Sequence, residues 1–182
     1  MTSSLDTHLY RNTIGLFATG VTVIAVHQGD QVHAMTANAI TSLSLDPPLL
    51  IFCVSRIAKM AAHLETGQPF AVNILRAEQQ ALSDYFAGRP PAEAPPPFDF
   101  DPWEGSPRLR GCAAALACRV EEQMPGGDHW IIVARVLAAH QGPEPRQPLV
   151  FFSGRYAHLD LAEAAAPDLA DDVPVQIFYD PW

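Results

Sequence analysis

The stretch MTANAITSLSLDPPLL, Met35 to Leu50, decides how this chain is read. It alternates small, hydroxylic and apolar residues, carries no strong acid or base before Asp46, and ends at two prolines. A core strand is more apolar, and a flexible loop carries more glycine and charge. Two readings of the residues stand side by side. One is a half-exposed strand with a polar outer face. The other is a surface that meets a flat, polar-edged ligand. Main-chain amides and the short side chains of Thr36, Asn38, Thr41, Ser42 and Ser44 supply donors and acceptors there, and Ala37 and Ala39 leave room.

The flanking segments read as strands and short helices. VTVIAVH (Val21–His27) is β-branched and reads as a strand, QGDQ as a hairpin turn, and the chain returns through VHAMTANAITSLSL. PPLLIFCVS reads as a buried strand from Leu49, because proline is tolerated at a strand's entrance. RIAKMAAHLETG suggests a short helix ending at Gly67, FAVNIL a strand, and AEQQALSDYFAG a second short helix with Leu82 and Phe86 on one face. Upstream, SSLDTHLYRNTIGLF has helical spacing with Ser3 or Ser4 as its cap. Residues 89–107 hold seven of the 17 prolines and read as a long, stiff, exposed loop. Strand candidates follow at 109–122, 129–140 and 149–159. Many strands, three short helices and few βαβ units point to a mainly β antiparallel barrel.

Bulk properties narrow the function. The 182 residues suit one domain, closed on itself or by dimerisation, and 48% are hydrophobic, enough for a sizeable core. A net charge of −9 argues against nucleic acid held by phosphate contacts. Cys53, Cys112 and Cys118 form no CxxC pair and read as reduced packing residues, which fits a cytoplasmic protein. No apolar run of about 18 residues spans a membrane, and MTSSLDTHLYRN lacks the pattern of a secretory signal. GxGxxG, GxxxxGK[ST], HExxH and GxSxG are absent, which removes support for Rossmann, P-loop, zincin and α/β-hydrolase chemistry. The seven histidines lack metal-ligand spacing, and no metal is expected.

FATGVTVIAV, MTANAITSLSLDPPLL, CVSRIAK, FAVNIL, FAG, GGDHWIIVARV and PLVFFSGRYAHL occur in this order. Together they resemble the flavin reductase family, which supplies reduced flavin to two-component monooxygenases. The resemblance covers about residues 8–160, leaving 161–182 as an acidic C-terminal extension. It implies a split β-barrel of Greek-key type with a few peripheral helices. It also implies FMN or FAD as flavin, NADH or NADPH as co-substrate, a homodimer, and an oxygenase that receives the reduced flavin. FMN and FAD differ by an AMP group that would lie on the surface near the proline-rich loop, and no motif decides between them.

The resemblance also implies a site. Thr36, Ala37 and Asn38 would run along the isoalloxazine and ribityl chain, and Ser42, Leu43 and Ser44 would frame its polar edge. Cys53, Ser55 and Ala58 join this flavin surface. Ser55 and Lys59, with Arg56 as an alternative, would hold the phosphate at a helix start. Lys59 is the sole lysine beside ten arginines. In GGDHW, Asp128 would orient His129, which the family places near the nicotinamide. An imidazole there suits proton delivery, because its charge changes near neutral pH. Arg155 and Tyr156 would border the nicotinamide or flavin. Phe86 reads as core, and Cys53 and Cys118 as packing rather than redox centres. The implied reaction is hydride transfer from nicotinamide C4 to flavin N5, with the flavin supplying the redox chemistry. The competing expectations are a barrel that keeps its flavin and reduces another acceptor, and a flavin- or haem-binding module without turnover. The aromatic end of the tail is expected to pack over the dimer partner.

Overall fold

The computed structural model describes residues 5–89, 94–144 and 147–159. Helix α1 (Thr7–Ile14) precedes β1 (Thr19–Gly20), β2 (Thr22–Gln28), β3 (Gln31–Ala37), β4 (Ile40–Leu45), β5 (Pro48–Ser55) and β6 (Pro69–Ile74). Helix α2 (Gln80–Phe86) leads to β7 (Phe100–Trp103) and β8 (Ser106–Leu109). Two long strands, β9 (Ala114–Gly126) and β10 (His129–Gln141), and the short β11 (Val150–Phe152) and β12 (Arg155–Ala157) complete it.

Seven strands form one antiparallel sheet in the order β3-β2-β6-β9-β10-β5-β4. Its two edge strands, β3 and β4, are consecutive in the chain and joined only by Asn38 and Ala39. A flat sheet cannot bring its edges within two residues of each other, so this one curls into a barrel with an open seam. The stretch 35–50 is therefore neither a single strand nor a loop. It is the end of one edge strand, the joint, the other edge strand, a tight turn with a cis Asp46–Pro47 peptide, and the entry to β5. Pro48 is the first residue of β5, where its missing N–H leaves no central ladder bond unmade. The β4–β5 register shifts between Ser42 and Ser44, a bulge at Leu43.

The barrel interior is filled by Ile24, Val26, Leu50, Phe52, Phe70, Val72 and Ile132, with Met60 and Leu64 from the segment after β5. A second cluster of Val21, Val23, Leu75, Leu82, Leu109 and Leu149 lies outside it. Because β2 is covered on both faces, VTVIAV reads as a continuous apolar run rather than an alternating one. Asn73, fully buried, ties the two layers: its amide donates to the Val23 carbonyl at 3.1 Å and its carbonyl accepts from Leu109 N–H at 2.8 Å.

Four local expectations are corrected. Asp6 caps α1, its carboxylate accepting from His8 N–H at 2.9 Å, in place of Ser3 or Ser4. RIAKMAAHLETG forms only a five-residue 3₁₀ turn, Lys59–His63, because Met60 and Leu64 are drawn into the barrel mouth at a spacing that suits one short turn. AEQQALSDYFAG begins as a 3₁₀ turn (Ala77–Gln79) before α2. The span 89–107 contains most of the β7–β8 hairpin, whose register pairs Pro102 with Pro107. Prolines are tolerated in a two-stranded ribbon whose outer edges carry no further strand. The tail 161–182 lies outside the described residues.

Candidate functional site

β3 sits at a sheet edge and pairs only with β2. One row of its main-chain groups therefore lacks a strand partner. Along this bare edge, between the end of β5 and α2, runs a trench made of three adjoining cavities. The central one, about 360 Å³, is lined by Thr36, Ala37, Asn38 and Ala39 on one side and Cys53, Ser55 and Ala58 on the other. Phe86 and Ala87 close it from α2, and His129 stands at its mouth. Four alanines in that lining keep it open for a flat molecule.

The side chains of Thr36 and Asn38 are already committed. Thr36 Oγ1 donates to the Ser83 carbonyl at 2.6 Å, and Asn38 Nδ2 donates to Thr19 Oγ1 at 3.1 Å. Each spends a donor inside the protein, so the Thr36 hydroxyl meets a ligand only as an acceptor. The remaining donors of this wall are the second Nδ2 hydrogen of Asn38 and main-chain N–H groups.

His129 arrives at the mouth through strand register. β10 pairs antiparallel with β5, placing His129 opposite Ser55 and Ile131 opposite Cys53. Asp128 Oδ1 lies 2.8 Å from His129 Nδ1, which directs the other ring nitrogen, Nε2, away from the carboxylate. This hydrogen bond, together with the charge of the imidazole when protonated, holds the Asp128 carboxyl below the usual carboxylate range. Arg56 braces the turn: its N–H donates to the Asp128 carbonyl at 3.1 Å, its Nε to the His129 carbonyl at 3.4 Å, and its guanidinium lies 4.4 Å from the Trp130 ring. Arg56 is thus a brace for His129 rather than a residue of the cavity wall.

A narrow side cavity of about 120 Å³ joins Thr36, Ala37 and Asn38 to Ser83, Arg89, Phe151 and Tyr156. The Tyr156 hydroxyl lies 2.9 Å from Ser83 Oγ and 3.1 Å from Asp84 Oδ1, and burial first of all keeps this phenol above its ordinary range. At the other end a larger cavity of about 630 Å³ contains Lys59 and His33. His33 stacks at 5.0 Å on His63, and burial, then His63 and Lys59, lower its pKa.

The trench thus brings together Thr36, Ala37, Asn38, Cys53, Ser55, Ala58, Lys59, His129 and Tyr156, with Asp128 bonded to His129. It does not bring in Ser42, Leu43 or Ser44. After the joint, β4 crosses to the opposite edge of the sheet, where Ser42 and Ser44 line a separate apolar groove with Ile40, Leu49, Ile74 and Val136, and Leu43 bulges outward. Arg155 is exposed on β12 and lines none of these cavities. Lys59 does not act at a helix N-terminus, since a five-residue 3₁₀ turn has too few aligned peptides for a useful dipole. It acts as a point charge on the cavity wall. Residues that the sequence did not single out for the site are Met35, His33, Ala87 and Phe86, the last read as core. The only signal for Phe86 was its place before Ala87 and Gly88 at the end of α2. Cys118 is buried with its thiol pushed up to about 12, and burial raises Cys112 as well, so neither is a nucleophile. Among the described residues, no group of three or more His, Cys, Asp or Glu is placed to hold a metal.

The profile of the flavin reductase like domain matches residues 14–160. The chain belongs to this family. The 4-hydroxyphenylacetate 3-monooxygenase reductase component of Thermus thermophilus is 41% identical over 82% of this chain and 95% of its own. The NADH-dependent flavin reductase of a Rhodococcus species is 38% identical over 83% of this chain and 85% of its own. Among solved structures, a flavin reductase in its native state superposes with a TM-score of 0.79 at 38% identity, covering 85% of this chain and 99% of that one. The styrene monooxygenase flavin reductase of Pseudomonas putida gives 0.74 at 37% identity, over 82% and 96%. The open-seamed barrel is the split barrel of the flavin reductases, as the resemblance implied.

Proposed function

We propose that this protein is an NADH-dependent flavin reductase that transfers a hydride to FMN or FAD and passes the reduced flavin to an oxygenase. The observation that carries this reading is His129 standing over a cavity of small residues against the bare edge of β3. That cavity fits a flavin. Its walls are flat and largely alanine, and an edge strand offers main-chain groups to the ring's polar rim. When bound, the flavin accepts hydride at N5 from nicotinamide C4 and supplies the redox chemistry.

The chain's own residues bind and orient. The β3 edge, with Ala37 allowing close approach, holds the ring plane. Main-chain N–H groups aimed at its polar rim favour the negative charge of the reduced ring. His129, fixed by Asp128 and Arg56 at the cavity, would meet the nicotinamide and present Nε2 as a hydrogen-bond partner or proton donor. Lys59 sits along the trench as a counter-charge for phosphate. No side-chain nucleophile is required.

NADH over NADPH is favoured by the relatives named for NADH and by the acidic balance of the chain. The relatives named as reductase components of monooxygenases support the oxygenase partner. We assign the reductase domain to residues 1–160 and treat 161–182 as an appended extension. Among the described residues no helix is long and apolar enough to cross a membrane, and a cytoplasmic location suits the three free thiols. A homodimer is supported by an α1 with no buried residue and by the apolar groove beside β4. The test is NADH oxidation with FMN or FAD added separately. Saturation with added flavin is the expected result, whereas flavin binding without oxidation would reduce the protein to a binding module.

A further inference from the structure

The end of α2 closes the central cavity through Phe86 and Ala87, so the setting of this helix decides how wide the cavity is. Helix α2 is seven residues long, has no side-chain cap at its start, and buries only Leu82 and Ser83. Leu82 and Phe86, one turn apart, pack on the second apolar cluster, and Phe86 leans on Phe98 and Phe100. Apolar contact has no direction. It holds the helix down without fixing its turn about its own axis. The directed contacts all meet at Ser83 and Asp84. The Ser83 carbonyl accepts from Ala87 N–H at 2.9 Å within the helix and from Thr36 Oγ1 on β3 at 2.6 Å. The Tyr156 hydroxyl, from β12, lies 2.9 Å from Ser83 Oγ and 3.1 Å from Asp84 Oδ1. A phenol has one proton, so it donates to the carboxylate and accepts from the serine. A serine within a helix commonly turns its hydroxyl back on its own backbone. Ser83, fully buried, instead gives it to a strand 73 positions away. Tyr156 itself stays behind the wall. It lines the narrow side cavity and not the central one, and its ring meets Phe151 edge-on at 5.5 Å.

We propose that Tyr156 is a positioning residue for the flavin: through Ser83 and Asp84 its hydroxyl holds α2 at the setting in which Phe86 and Ala87 form the cavity wall facing the β3 edge. The phenol then acts on the ligand from behind the helix and not by stacking on a ring. Ser83 is the link, because its carbonyl is bonded directly to Ala87 of the wall. That the ligand is a flavin rests on the flavin reductase reading, and the experiment separates the failure of one from the failure of the other.

Dissociation constants for FMN and for FAD are measured by calorimetry in the parent, in Tyr156→Phe, in Ser83→Ala and in the double variant, and KM is measured for NADH. Phenylalanine keeps the ring and its contact with Phe151 and loses only the hydroxyl. Alanine removes the Ser83 hydroxyl and favours the helix. A helix held only part of the time in its binding setting lowers the apparent affinity by the fraction held. One hydrogen bond lost changes such an equilibrium by about 2- to 10-fold. Each single variant should therefore weaken flavin binding about 3- to 10-fold. The double variant should be no more than about 2-fold weaker than the weaker single, since both changes break one link. The NADH KM should move less than about 2-fold. Flavin dissociation constants within about 1.5-fold of the parent in both single variants would overturn the proposal. So would effects that multiply in the double variant, because a phenol that touches the flavin directly does not act through Ser83. A raised NADH KM with flavin affinity unchanged would assign the phenol to the nicotinamide and overturn the proposal too. Flavin binding that weakens as expected in a protein without NADH oxidation would uphold the role of Tyr156 and sink the reductase reading.

Discussion

Lys59 is the one lysine in the chain, and the larger cavity at the end of the trench is where its charge meets it. A hydrogen bond to a charged group contributes about 1.5–3 kcal/mol. Lys59→Ala should therefore raise the flavin KM about 10-fold or more while moving the NADH KM less than about 2-fold. Steady-state kinetics with each substrate varied in turn decide it, and equal effects on both substrates would deny Lys59 a phosphate role. His129→Ala should lower the rate of flavin reduction or raise the NADH KM about 10- to 100-fold, since positioned acid–base groups contribute about that much or more. Stopped-flow reduction under anaerobic conditions reads it, and parent-like kinetics would return His129 to a turn residue. His33 gives a pH prediction. Burial, then His63 and Lys59, hold its folded pKa below 6.5, so the unfolded chain takes up this proton first. The stability concerned is complete above pH 6.5 and is lost as the pH falls through the lowered folded value. Melting temperatures between pH 8 and pH 5 should fall less steeply in His33→Gln than in the parent protein. Parallel curves would contradict this.

At the scale of elements, Asn73 joins the barrel to the β7–β8 hairpin, which carries Phe100 to the larger cavity of the trench. Removing both its hydrogen bonds strands the Leu109 N–H in the interior, while the Val23 carbonyl keeps its ladder partner across β2 and β6. A buried, unsatisfied group costs about 1–3 kcal/mol, so Asn73→Ala should lose about that much in denaturant unfolding. Tolerance within 0.5 kcal/mol would show that the hairpin is held by its apolar contacts alone. The elements also show where local sequence misleads. The segment RIAKMAAHLETG has good helix formers, yet burial of Met60 and Leu64 allows it one short turn. A proline-rich stretch that reads as loop is half hairpin, because only its edge exposure makes proline harmless there. β2, β5, β6 and β10 were legible because their apolar patterns report the layers that cover them.

Taken as a whole, the described residues leave α1 uncovered. Leu9, Tyr10, Ile14, Leu16 and Phe17 all face water, and Leu45 is exposed beside the apolar groove of β4 and β5. The proposed homodimer would cover this apolar surface. Sedimentation equilibrium should give about twice the mass of 19.8 kDa, and Leu45→Asp with Ile14→Asp should shift it toward monomer. A monomer in the parent protein would leave that surface for another partner.

The sequence by itself determined the family, the β-rich architecture and about half of the trench. Those features rest on local signals: β-branched runs, turn residues, and the small-residue tract around Ala37. It also named His129, whose partner Asp128 is its neighbour in the chain, and Tyr156, whose partners Ser83 and Asp84 only the fold brings near. The tertiary structure alone decided that Ser42 and Ser44 part company with Thr36, since only the curl of the sheet sends β4 to the opposite edge. It alone turned Phe86, packed as expected on an apolar cluster, toward the trench as well, paired His33 with His63, and set Phe98 open beside Lys59. His33 and His63 are 30 positions apart and Lys59 and Phe98 are 39, and no periodicity along the chain records a distance in space.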